Sequence, residues 1–170
     1  MVEGFMALGL AAAAMAAAST GILFRPGNWY RDLRKPFWTP PNVAFPLVWS
    51  LLYALMVIAA FRVASGLSEG QLPPGAERLA IAGLCAWSAQ ITLNAMWSPV
   101  FFGMRNGRVG MIVISCLWVA IVMTMGLFWA ADSIAGVLMV PYLVWATYAG
   151  SLNAAILLMN PPSVFRDPAD

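Results

Sequence analysis

The residues of this chain best placed to hold another molecule are uncharged and aromatic. Trp87, Gln90, Asn94, Trp97 and Phe101 recur at three- and four-residue steps inside one apolar stretch, so a helix would carry them on a single stripe. A second stripe reads Tyr142, Trp145, Ala149 and Asn153, and a third reads Trp49, Tyr53 and Val57. Ring faces flanked by a few amides and hydroxyls suit a flat, apolar ligand: the rings supply stacking area and the polar atoms fix orientation. The same amides, Gln90 and Asn94, would equally serve to bridge helices by hydrogen bonds.

Other chemistries are poorly supplied. The chain contains no histidine, which removes the usual haem and transition-metal ligand and the usual neutral-pH base together. No acidic residue falls within an apolar stretch, since Asp132 sits in a turn and Glu77 just outside one. Ion-coupled transport therefore lacks its usual intramembrane carboxylate. No catalytic constellation, metal site or resident cofactor is expected. Cys85 and Cys116 both lie in apolar stretches and are expected to be small buried hydrophobes, not a disulfide.

These stripes need long apolar helices to carry them, and composition supplies these. Of 170 residues 62% are apolar and 9% charged, against about 25% charged in an ordinary soluble domain. Five stretches reach the roughly 20 residues needed to cross hydrocarbon. They predict an all-α polytopic membrane protein, a single domain of five transmembrane helices over about 5–24, 46–65, 79–103, 108–130 and 134–159. The first stretch follows Glu3 with no leading Lys or Arg and is longer than a signal-peptide core, so it is expected to stay as a helix. Pro99 and Pro141 predict kinks in the third and fifth helices. Gly9, Ala13, Ala17 and Gly21 predict a close-packed or dimer seam on the first. Trp29 and Trp129 fit an interfacial belt.

The connections are unequal. Residues 105–108 and 131–133 are tight links and 66–76 an ordinary loop, but residues 25–45 form a long Trp-, Pro- and Arg-containing segment suited to capping a site. Arg25, Arg31, Arg34, Lys35, Arg105, Arg108 and Arg166 lie on that segment's side of the membrane, and Arg62 and Arg78 on the other. The basic side is expected to be cytoplasmic if the chain enters an inner membrane by the ordinary route. With net charge +2 and no basic run, nucleic acid is not an expected partner.

Three segments resemble one known family. They are Trp29-Tyr30 with Leu33-Arg34-Lys35-Pro36-Phe37-Trp38-Thr39-Pro40-Pro41, Phe45-Pro46 and Trp49; then Leu93–Phe102; then Val140–Thr147 running on to Leu152-Asn153. Their order and spacing are similar to those of the translocator protein family, also called tryptophan-rich sensory proteins or peripheral benzodiazepine receptors. The resemblance covers about residues 20–153 and implies a five-helix bundle, commonly a homodimer, that binds porphyrins such as protoporphyrin IX and synthetic isoquinoline-carboxamide or benzodiazepine ligands. The family's pocket positions fall here on Trp38, Pro41, Trp49, Asn94, Trp97, Trp145 and Ala149. With Tyr53, Gln90, Phe101, Tyr142 and Asn153 from the stripes, these make the candidate ligand-binding set. The family's sterol-associated motif wants a basic residue soon after an aromatic at the end of the fifth helix. After Tyr148 the next is Arg166, so sterol recognition by that motif is not expected.

The expected function is a membrane receptor or sensor that binds and regulates or sequesters a tetrapyrrole, with loop Arg and Lys residues meeting its propionates. The resemblance also implies an alternative, light- and oxygen-dependent porphyrin breakdown, for which Trp38 and Trp145 are the oxidisable candidates. Passive carriage of porphyrin or lipid-like ligands is a third.

Overall fold

A computed structural model describes residues 2–165. It contains α1 (Val2–Leu23), a short α2 (Asn28–Asp32), α3 (Ala44–Ser68), α4 (Glu77–Ser98), α5 (Gly107–Ala131) and α6 (Ser133–Met159), with a last 3₁₀ turn at Pro162–Phe165. The described residues form no strand. Five helices are long and apolar enough to cross a membrane, α4 being counted through Gly103, with mean hydropathy from 1.3 to 2.4 over their best windows. The all-α, five-span expectation holds, with ends a few residues out. The second span runs 44–68, which shortens the following loop, and the capping segment contains α2.

Local chemistry sets the turns. The Asn106 side chain accepts from the Val109 N–H at 3.0 Å to start α5. Asp132 accepts from Ile134 and Ala135 to start α6, which satisfies amides that have no partner within the helix. Asp132 also pairs with Arg62 of α3 at 2.9 Å. The α5–α6 link is close: a Cβ on Gly136 would lie 2.7 Å from the Trp129 Cα. At Pro99, which cannot donate within a helix, α4 widens into a π turn over Pro99–Gly103, with Met104 N–H donating to the Pro99 carbonyl at 2.8 Å.

Around the bundle the helices neighbour one another in the order α1, α3, α6, α5, α4 and back to α1, with the α4–α5 and α5–α6 pairs packed most extensively. The main core joins Leu52, Met56, Val63, Trp87, Ile121, Phe128 and Tyr142. A second cluster of Tyr30, Leu33, Phe101, Ile156 and Phe165 closes the end where the 25–45 segment lies.

Two expectations are corrected and a third is met in part. Cys85 and Cys116 are exposed on the outer faces of α4 and α5; a bilayer makes the outside as apolar as the inside, so an apolar context does not imply burial. On the small-residue stripe of α1, Ala17 is buried within the chain, while Gly9 and Gly21 are exposed and make no close packing inside the bundle. Trp29 is an internal anchor, not a belt residue: its Nε1 donates to the Val164 carbonyl at 2.8 Å and its ring meets Phe101 and Phe165 edge-on. Trp129, in contrast, is half exposed near the end of α5.

Candidate functional site

The centre of the site is Asn94 on α4, buried between α3 and α6. Tyr53 donates its hydroxyl to Asn94 Oδ1 at 2.6 Å, and Asn94 Nδ2 donates to the Tyr142 hydroxyl at 2.8 Å. One amide thus links three helices through two phenols. Trp49 lies 5.5 Å from the Tyr53 ring and 6.1 Å from the Tyr142 ring. Helical spacing explains the convergence: Trp49 and Tyr53 are one turn apart on α3, and Tyr142 and Trp145 nearly so on α6.

Trp145 extends this arrangement toward the capping segment. Its ring meets Phe45 at 5.8 Å, edge-on, and Tyr148 at 5.5 Å. The Tyr148 hydroxyl donates to the Trp38 carbonyl at 2.5 Å. On α4, Trp97 stacks on Phe101 at 5.0 Å with planes 13° apart. The indole N–H groups of Trp97 and Trp145 are both buried without a hydrogen-bond partner. Such groups carry a desolvation cost that a suitable acceptor would relieve.

Other candidates lie elsewhere. Gln90 is fully buried one turn from Asn94, with Nε2 3.8 Å from the Met56 sulfur and Oε1 unpartnered. Phe101 belongs to the cluster at the loop end. Asn153 donates to the Gly107 carbonyl at 3.0 Å, so its amide braces the start of α5. Ala149 is half-buried on α6, and Pro41 is exposed beside the start of α3. Among the described residues, no three His, Cys, Asp or Glu side chains group to hold a metal.

Most loop cations point away from this centre. Lys35 Nζ donates to the carbonyls of Tyr30, Arg31 and Leu33 and sits 4.8 Å over the Tyr30 ring. Desolvation lowers its pKa, partly offset by the nearby Asp32 charge. Lys35 therefore ties the loop together and is not spare for a ligand's carboxylates. Arg25 donates to Ile22 and Arg31 to Asn28. Arg166 lies outside the described residues.

The Trp49, Tyr53 and Tyr142 rings pack against one another around the Asn94 amide. Two open grooves lie away from it: about 390 Å³ between α5 and α6, lined by residues such as Trp118 and Gly150, and about 300 Å³ among α1, α3 and α4, lined by residues such as Phe5 and Trp87. Phe45 and Tyr148 were missed as candidates, although each lies one turn from a chosen tryptophan. The stripe rule reaches them once extended by a turn.

Fold and site together define a polytopic helical membrane protein with an uncharged aromatic–amide centre between its helices. The TspO/MBR family model matches residues 5–159, and the chain belongs to that family. It is 43% identical to Protein CrtK of Rhodobacter capsulatus over 145 residues, covering 85% of this chain and 86% of that one. It is 42% identical to a tryptophan-rich sensory protein of Cereibacter sphaeroides over 149 residues (88% and 87%). With the human translocator protein it shares 30% identity over 131 residues (76% and 73%). The chain is an integral, multi-pass membrane protein.

Proposed function

We propose that this protein is a membrane sensor or receptor that binds a flat apolar ligand of the protoporphyrin IX kind against Trp49, Trp97 and Trp145, with Asn94 orienting it. The observation that carries this reading is the Asn94 amide, whose partners are rotatable hydroxyls, together with buried, unpartnered indole N–H groups at Trp97 and Trp145 on the same α4 and α6 stripes. Ring faces and spare donors are what a planar molecule with acceptor atoms requires. Trp38, Pro41, Tyr53, Gln90, Phe101, Tyr142, Ala149 and Asn153 complete the proposed contact set. Of the loop cations, exposed Arg34 is the one we assign to a ligand's carboxylate, since the side chains of Arg25, Arg31 and Lys35 are taken up by local hydrogen bonds. The names borne by relatives, sensory protein and translocator protein, agree with a binding role. We further propose a homodimer, with the 25–45 side cytoplasmic if the chain lies in an inner membrane.

Tryptophan-fluorescence titration of the detergent-solubilised protein with protoporphyrin IX in the dark tests this. Saturable quenching at micromolar concentration or below, weakened by Trp145→Ala, is expected; quenching that never saturates would overturn it. Illuminating the saturated complex and analysing the pigment tests for porphyrin breakdown at Trp38 and Trp145.

A further inference from the structure

The capping segment divides into two parts held in different ways. Residues 28–35 are rooted. Tyr30 and Leu33 are buried, Tyr30 meets Phe101 and Phe102 edge-on, and Trp29 donates to Val164. Asn160 grips Arg34 at both backbone atoms, accepting from its N–H and donating to its carbonyl, each at 2.9 Å. Residues 37–43 are different. Phe37 is 95% exposed and Trp38 43%, and Pro41, Asn42 and Val43 are all exposed. Their internal bonds only shape turns, Thr39 N–H to Pro36 and Ala44 N–H to Pro41. Among the described residues, apart from these bonds to the flanking Pro36 and Ala44, the side-chain hydrogen bond that ties this part to the rest of the protein runs from the Tyr148 hydroxyl to the Trp38 carbonyl.

We propose that residues 37–43 form a flap latched shut by Tyr148, and that Tyr148 is a positioning residue controlling access to the site. The flap is bounded by buried Pro36 on one side and the start of α3 on the other. Prolines 36, 40 and 41 narrow its conformations, and its two bonded amides, Thr39 and Ala44, sit in turns that loosen when the latch is released. The latch is coupled to the site, because the Tyr148 ring lies against Trp145, whose other neighbour is Phe45 at the foot of the flap. A ligand that shifts the Trp145 ring shifts the latch. The gating part of this inference rests on the ligand reading above; the latch itself does not.

The test is Tyr148→Phe, which removes one oxygen and keeps the ring. Hydrogen exchange in the ligand-free full-length protein should rise about fivefold or more in peptides spanning 36–44, with the transmembrane helices unchanged, as loss of one hydrogen bond implies. Stopped-flow quenching by protoporphyrin IX should show association and dissociation both faster by a similar factor and affinity within about twofold, since both ends of a gated equilibrium are affected alike. Trp38→Ala keeps the carbonyl acceptor, so exchange in the same peptides should stay near wild type. Unchanged exchange in Tyr148→Phe overturns the latch, and raised exchange with unchanged rates overturns the gating. If flap exchange rises but neither wild type nor variant binds porphyrin, the latch stands and the ligand reading falls.

Discussion

Asn94 and Asn153 are both buried amides on aromatic stripes, and the fold uses them oppositely. Asn94 bonds only to side chains, two tyrosine hydroxyls that can rotate and re-aim. Trp49 lies against the rings of both tyrosines. Asn153 bonds to backbone, the Gly107 carbonyl. Its Oδ1 faces Gly110, where an added Cβ would come 3.2 Å from that oxygen and 3.1 Å from Phe101. Bonds between side chains can be exchanged for bonds to a ligand, whereas a bond to helix backbone behind a glycine-tight contact cannot be without moving the helix. The Asn94 layer is built to yield and the Asn153 layer to hold.

This contrast can be broken or sharpened by substitution. The largest effect is expected from Gly110→Leu, which drives a branched side chain into Phe101 and Asn153. Overpacking of this kind reaches the upper end of about 1–3 kcal/mol, visible as a large fall in thermal midpoint in detergent. A midpoint near wild type would show that the Asn153 layer has slack.

Next come Trp145→Ala and Asn94→Ala. Each should weaken porphyrin affinity at least several-fold, about 1 kcal/mol or more, while circular dichroism shows the helices intact. Unchanged affinity in both would remove the functional side of the contrast.

Asn153→Ala should reverse that pattern. It should lose about 1–2 kcal/mol of stability, the cost of leaving the Gly107 carbonyl without its donor, with affinity per folded molecule falling less than in Asn94→Ala. If it weakens binding as much as Asn94→Ala, the two layers are one site.

The smallest effect is expected far from both layers. The Glu69 carboxyl is held above its ordinary value of 4.5, first by a side-chain hydrogen bond with Glu3, then by desolvation and by the Glu3 charge. A raised folded value means this contribution is complete below pH 4.5 and lost as pH rises through the raised value. Glu69→Gln keeps a donor at every pH. It should flatten the pH dependence of the thermal midpoint in that window, by no more than about 2 °C for so exposed a pair. A larger shift would place the α1–α3 contact, and not the Asn94 layer, as the most easily perturbed part of the molecule.

Much of this protein was determined by sequence alone. Hydrocarbon sets a length and an apolar content for any crossing helix, so five spans and their order were legible from composition and punctuation. Helical periodicity then put Trp49, Tyr53, Asn94, Tyr142 and Trp145 on inward stripes, because a polar or indole group facing lipid would go unsatisfied. Three things were decided only by tertiary structure. Which amide meets hydroxyls and which meets backbone depends on how α4, α5 and α6 rotate against one another, and Asn94 and Asn153 look alike along the chain. Cys85, Cys116 and Gly9 faced outward because periodicity distinguishes faces by polarity, and here lipid and core are equally apolar. The division of the cap into a rooted half and a flap rests on Asn160 and Tyr148, more than a hundred residues away from Arg34 and Trp38. Contacts at that range follow from how the helices stack, and no local pattern encodes them.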